Sequence, residues 1–91
     1  KKEFSCILLE LDYKIGDKND IFKFTGELVR KKIRINDYFG KFNNDKLIIL
    51  TVNTSLSGAM ILAEKIEHKS KKFYKDKNLI VNISFGITQV G

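Results

Sequence analysis

The sequence predicts an α+β fold with the element order βαββαβ, a mostly antiparallel sheet carrying helices on it. Three observations predict it. Two segments repeat apolar residues at three- and four-residue spacing, as amphipathic helices do. Short runs rich in strand formers lie before, between and after them. The chain of 91 residues has no proline, which suits one continuous small domain spanning residues 1–91.

Phe4 to Leu11 is a short, nearly unalternated apolar run, read as a central strand buried on both faces. Asp12 to Asp20 is polar, contains Gly16 and reads as a loop. Ile21, Phe24, Leu28, Val29 and Ile33 form one face of a helix that Asn19 or Asp20 would cap. Gly26 within it marks a close approach, since glycine in a helix interior costs about 1 kcal/mol relative to alanine. Tyr38 to Phe42 and Leu47 to Val52 are two strands joined at Asn43-Asn44, residues that tolerate the positive φ of a tight hairpin. A second helix follows, with Thr54 as N-cap and Leu56, Ala59, Met60, Ala63, Ile66 and Phe73 as its apolar stripe. Leu79 to Phe85 alternates, with Asn82 and Ser84 on the other face, and Ile87 to Val90 extends it or begins another strand. This is the ferredoxin-like arrangement.

Composition is that of an ordinary folded domain, with 43% hydrophobic and 31% charged residues. Cys6 is the single cysteine, so no internal disulfide forms, and it reads as a small buried hydrophobe. No apolar stretch is long enough to insert across a bilayer. The net charge of +6 invites phosphates, nucleotides, nucleic acid or anionic lipid, although excess lysine also serves as solubilising surface. Lys69, Lys71, Lys72, Lys75 and Lys77 complement the C-terminal dipole of the second helix. His68 has no cysteine cluster beside it, and no nucleophile elbow or phosphate-loop motif occurs. Phe22, Phe24, Tyr38, Phe39 and Phe42 read as core. The run Leu47-Ile48-Ile49-Leu50 lacks the aromatics that an RNA-binding sheet displays, so nucleic acid is the least favoured partner.

Four short motifs, in order, resemble the GGDEF domain of diguanylate cyclases. They are Glu10-Leu11-Asp12 at the end of the first strand, the hairpin Lys41-Phe42-Asn43-Asn44-Asp45-Lys46-Leu47, Ala63-Glu64-Lys65-Ile66, and Ser84-Phe85-Gly86-Ile87. The resemblance implies a cytoplasmic bacterial signalling domain, excised from a larger protein and working with that protein's other domains. It also implies a homodimer and cyclic di-GMP as ligand. The departures imply a degenerate site with no catalytic residue assigned. Asn43 and Asn44 stand where the family has glycines that admit phosphates, and Lys46 stands where it has an acid. Glu10 and Asp45 are the remaining carboxylates for Mg²⁺, the cofactor any residual activity would use. The segment carrying the family's guanine-reading residues is shorter here by roughly two helical turns.

One family feature is retained. Arg34-Ile35-Asn36-Asp37 precedes the hairpin at the spacing of the family's Arg-x-x-Asp inhibitory site, and Lys65 lies where many members add a second cation. An arginine fork, a carboxylate and an ammonium suit a cyclic dinucleotide. The plainer reading is a local i,i+3 pair at a helix end. Three functions follow in order: a catalytically impaired regulatory or receptor domain, an active diguanylate cyclase, and an RNA-binding or protein-interaction domain.

Overall fold

Alternation along the strands decides which face of the sheet is covered. Ser5, Ile7, Leu9 and Leu11 are buried while Cys6 and Leu8 are half-buried and Glu10 is exposed, so one side of the first strand carries the core. The computed structural model describes residues 3–90. Its elements are β1 (Phe4–Ile15), α1 (Lys18–Lys32), β2 (Tyr38–Asn43), β3 (Lys46–Val52), α2 (Leu56–Asp76) and β4 (Ile80–Val90). The strands form one antiparallel sheet in the order β2-β3-β1-β4. Ile7 lies between Ile49 and Ile87, and Leu9 between Leu47 and Phe85, which sets one apolar row across three strands.

The helices close over that row. Ile21 and Val29 of α1, and Ala59, Ala63 and Ile66 of α2, are fully buried against it. Gly26 is where α1 approaches the sheet closely: a Cβ there would stand 3.4 Å from the Phe39 ring of β2. Between the helices, the hydroxyls of Thr25 and Tyr74 share a short hydrogen bond. Burial raises the Tyr74 phenol above its ordinary value of 10.0; the hydroxyls of Thr25 and Ser70 act the other way. Of the two only Thr25 stands at hydrogen-bonding geometry, and Ser70 Oγ is buried without a partner.

Several elements differ from the sequence-based expectation. β1 is central but covered on one face only, because both helices lie on the same side. It runs on to Ile15, since Asp12, Tyr13 and Ile15 pair with Asn82, Val81 and Ile80 of β4. The expected loop shrinks to Gly16-Asp17, and Asp17 rather than Asn19 or Asp20 caps α1, accepting from the Asp20 N–H at 3.1 Å. Ser55, not Thr54, caps α2, accepting from the Gly58 N–H at 3.2 Å. Tyr38 and Phe42 are exposed on the open face of the sheet rather than in the core, and Cys6 is half-buried there. Ser70 and Tyr74 extend the buried stripe of α2, whereas Leu56 and Met60 are exposed. β4 continues as one strand to Val90.

The hairpin is tight, but not by positive φ. Among the described residues the non-glycine positive φ values are at Asn53 and Asn78. The turn at Asn44-Asp45 is closed instead by Asn43 Oδ1, which accepts from the Asp45 N–H at 3.0 Å.

Candidate functional site

The sequence-derived candidates fall into two clusters at opposite ends of the hairpin strands. At the turn end, Asp45 is held by three contacts. Its N–H bonds to Asn43, its carbonyl accepts from the Leu11 N–H at 3.2 Å, and its carboxylate lies 3.7 Å from Lys18 Nζ. Glu10 faces Lys46 across the β1–β3 pair. Glu10, Asp12, Tyr13, Asp45, Asn82 and Ser84 line one open concavity of ≈ 640 Å³. Lys18 and Lys41 both stand over the Phe22 ring, at 6.0 and 5.7 Å from its centroid.

This arrangement brings Glu10 and Asp45 to one place, as their sequence positions suggested, but it does not make a protein cage for a metal. Among the described residues no three His, Cys, Asp or Glu side chains gather at metal-holding distance. A hard cation takes six or more oxygen ligands, and one Asp45 oxygen already faces the Lys18 ammonium. The residues present therefore do not fit a resident Mg²⁺ by themselves.

The second cluster lies where α1, β3 and α2 meet. Asp37 Oδ2 accepts from the Arg34 N–H at 2.9 Å and Oδ1 accepts from the Val52 N–H at 3.1 Å. Arg34 Nε is 3.7 Å from Asp37 Oδ2, and Arg34 Nη2 donates to the Val52 carbonyl at 2.8 Å and to Thr54 Oγ1. Asp37 is thereby sealed, with its side chain 3% exposed, while the Arg34 side chain remains 61% exposed. A concavity of ≈ 360 Å³ opens beside it, lined by Lys32, Arg34, Asn53, Ser55, Gly58 and others at the start of α2. Lys65 is not among them. It lines an adjoining groove of ≈ 410 Å³ with Ile61, Glu64, His68 and Lys69. Lys32 borders both and joins them.

Sequence reasoning missed Lys18, Lys32 and Thr54. Lys18 falls in the stretch read as loop, so its place at the start of α1 beside Asp45 was hidden. Lys32 carried a signal, because it follows the apolar stripe of α1 at its basic end. Asn82 and Ser84 were legible as the polar face of β4, although not as neighbours of Glu10.

The sheet order, the two helices on one face and the β2–β3 turn beside the end of β1 can be compared with known proteins. No family model matches the sequence, and no curated protein matches it. Solved structures do. The active GGEEF domain of a diguanylate cyclase from Vibrio cholerae superposes with a TM-score of 0.80 at 21% identity, covering 98% of this chain and 63% of that one. The fold is that of a GGDEF domain. A DGC protein from Thermotoga maritima matches at TM-score 0.78 and 11% identity, over 97% of this chain and 64% of that one. The GGDEF domain of DgcB from Caulobacter crescentus, solved in complex with c-di-GMP, matches at 0.73 and 8% identity, over 99% and 61%. The chain thus spans less than two thirds of the length of each of these structures.

Proposed function

We propose that this chain is a catalytically impaired GGDEF-type domain of cyclic di-GMP signalling, acting as a regulatory or receptor module through Arg34, Asp37 and Lys65. The observation that carries the reading is the preassembled Arg34. Its backbone and Nε are held by Asp37, its Nη2 by Val52 and Thr54, and the rest of the guanidinium faces solvent beside Lys32. A guanidinium fixed in this way loses little rotamer freedom on meeting a phosphate or a guanine edge. Asp37 acts chiefly by holding it. Lys65 and Lys32, which line the neighbouring groove, are the cations this reading assigns to the second phosphate of a cyclic dinucleotide.

Calorimetry with cyclic di-GMP tests this. Arg34→Ala removes a charge-assisted fork, with an expected loss of about 1.5–3 kcal/mol, or roughly ten- to a hundredfold in affinity. Lys65→Ala should cost less, because a solvated ammonium contributes a screened point charge. Absence of any binding heat would return Arg34 and Asp37 to a purely structural role.

One observation favours a second reading, an active cyclase: Glu10, Asp12 and Asp45 line the same concavity. Incubation with GTP and Mg²⁺ or Mn²⁺ separates the two. Impairment predicts no cyclic di-GMP above a protein-free blank, whereas product that disappears in Asp45→Ala would establish the cyclase.

A further inference from the structure

Charge is distributed very unevenly over this molecule. Residues 30–34 and 61–77 contain ten of the seventeen Lys and Arg and three of the eleven Asp and Glu, hence +7, while the rest of the chain carries −1. The fold gathers part of this charge on one surface, while Arg30 stands over the Phe39 ring of β2 at 5.1 Å. Ala59, Ala63, Ile66, Ser70 and Tyr74 face the core, so Ile61, Lys65, His68, Lys72 and Lys75, at helical spacing on the opposite side, form the outward stripe of α2. Lys32, from the end of α1, shares a groove with Ile61, Lys65 and Lys69.

Aliphatic side chains are exposed on α2 and in the loop that follows α1. Ile61 is exposed at the head of the stripe, and Ile35, in the loop that Arg34 ties to Val52 and Thr54, is 98% exposed. The exposed aromatics, Phe4, Tyr38 and Phe42, belong to β1 and β2, on the open face of the sheet away from the helices. A single-stranded nucleic-acid surface needs aromatic platforms for bases. Basic side chains beside exposed aliphatic residues fit the boundary between lipid headgroups and acyl chains.

We propose that this helical face docks on an anionic lipid surface. Headgroup phosphates meet Lys32, Lys65, Lys69 and Lys72, and Ile35 and Ile61 enter the headgroup boundary. Glu64 within the groove, and Glu67, which pairs with Lys71 at 3.2 Å, offset part of the attraction. The binding is peripheral: no helix among the described residues is long and apolar enough to cross a membrane.

Flotation of the full chain with phosphatidylcholine vesicles, with and without phosphatidylglycerol, tests the proposal. Binding is expected only with the anionic lipid and should fall as salt rises. Each lysine near the surface contributes roughly fivefold in affinity, so Lys69→Gln with Lys72→Gln should weaken binding by roughly twenty-five-fold. Lys14→Gln with Lys41→Gln removes the same charge outside this face and should change it by less than about twofold. Ile61→Ser should remove the binding that survives high salt. Circular dichroism establishes that each variant is folded. Equal losses from the two lysine pairs, no preference for the anionic vesicles, or tighter binding to single-stranded RNA that the Lys69/Lys72 pair abolishes would each overturn the proposal.

Discussion

Asp37 and Asp45 lie at opposite ends of the same hairpin, and the fold treats them in opposite ways. The Asp37 side chain is 3% exposed and each of its oxygens accepts a backbone N–H; the Asp45 side chain is 59% exposed and, among the described residues, meets only the Lys18 ammonium at 3.7 Å. One carboxylate is part of the architecture. The other is held in place by its backbone, with its side chain free of structural duty. A group of the second kind tolerates changes among its neighbours without loss of the fold. A group of the first kind cannot change without cost even if its ligand disappears. The Arg34-x-x-Asp37 arrangement is therefore compatible with a structural role alone, which is why ligand titration decides more than sequence matching does.

The sharpest test of this contrast is stability. Asp37→Ala removes the acceptor from the Val52 and Arg34 N–H groups, with an expected loss of about 2–3 kcal/mol. Asp45→Ala should change stability by less than about 0.5 kcal/mol, as surface substitutions do. Urea unfolding of both variants measures the difference, and equal losses would break the comparison.

The buried hydroxyl pair between the helices extends it. Tyr74→Phe leaves Thr25 Oγ1 without its Tyr74 partner in a buried site and should cost about 1–2 kcal/mol. The pair also has a pH signature. Because the folded-state Tyr74 value is raised by burial, the neutral phenol is favoured in the fold. That contribution is complete below the unfolded value near 10.0 and is lost as pH rises through the folded one. Thermal melts above pH 10 should therefore fall more steeply for the parent than for Tyr74→Phe. Parallel slopes would show that the phenol does not ionise on unfolding.

How far these features could be read from the sequence depends on how local they are. Both helices, the three apolar strand runs and the alternation of Val81, Ile83 and Phe85 rest on neighbours within one element, and all were legible. The extension of β1 through Asp12 and Tyr13 was not, because those residues become a strand only by pairing with β4, some seventy residues later. Tyr38 and Phe42 misled for the same reason: apolar residues on both sides of a strand do not say which side the helices will cover. At the candidate sites, the Arg34–Asp37 pairing lies within one turn and was readable. Its tie to Val52 and Thr54 depends on the β3–α2 junction and was not. Lys18 beside Asp45 likewise required the unforeseen early start of α1.

A smaller effect is expected at the turn. Asn43→Ala deletes the side-chain acceptor for the Asp45 N–H, at an exposed position where water can substitute. We expect a loss of about 0.5–1 kcal/mol, with Asn44→Gly within about 0.5 kcal/mol of the parent. Reversal of that order would mean that the turn is held by backbone conformation rather than by the Asn43 side chain.

The smallest energy belongs to Lys18 and Asp45, whose coupling carries the question of function. Both side chains are substantially exposed, so their attraction is screened and a double-mutant cycle should return less than about 0.5 kcal/mol, vanishing at high salt. A coupling this weak does not lock Asp45, and a divalent cation bridged to nucleotide phosphates could compete with Lys18 for it. On the proposed reading, impairment at this site rests on the side chains of Asn43, Asn44 and Lys46 rather than on the ion pair. Lys18→Ala should accordingly leave GTP turnover at the protein-free level. Turnover that appears in Lys18→Ala and is absent from the parent would identify the Lys18 ammonium as the element that keeps a competent carboxylate pair silent.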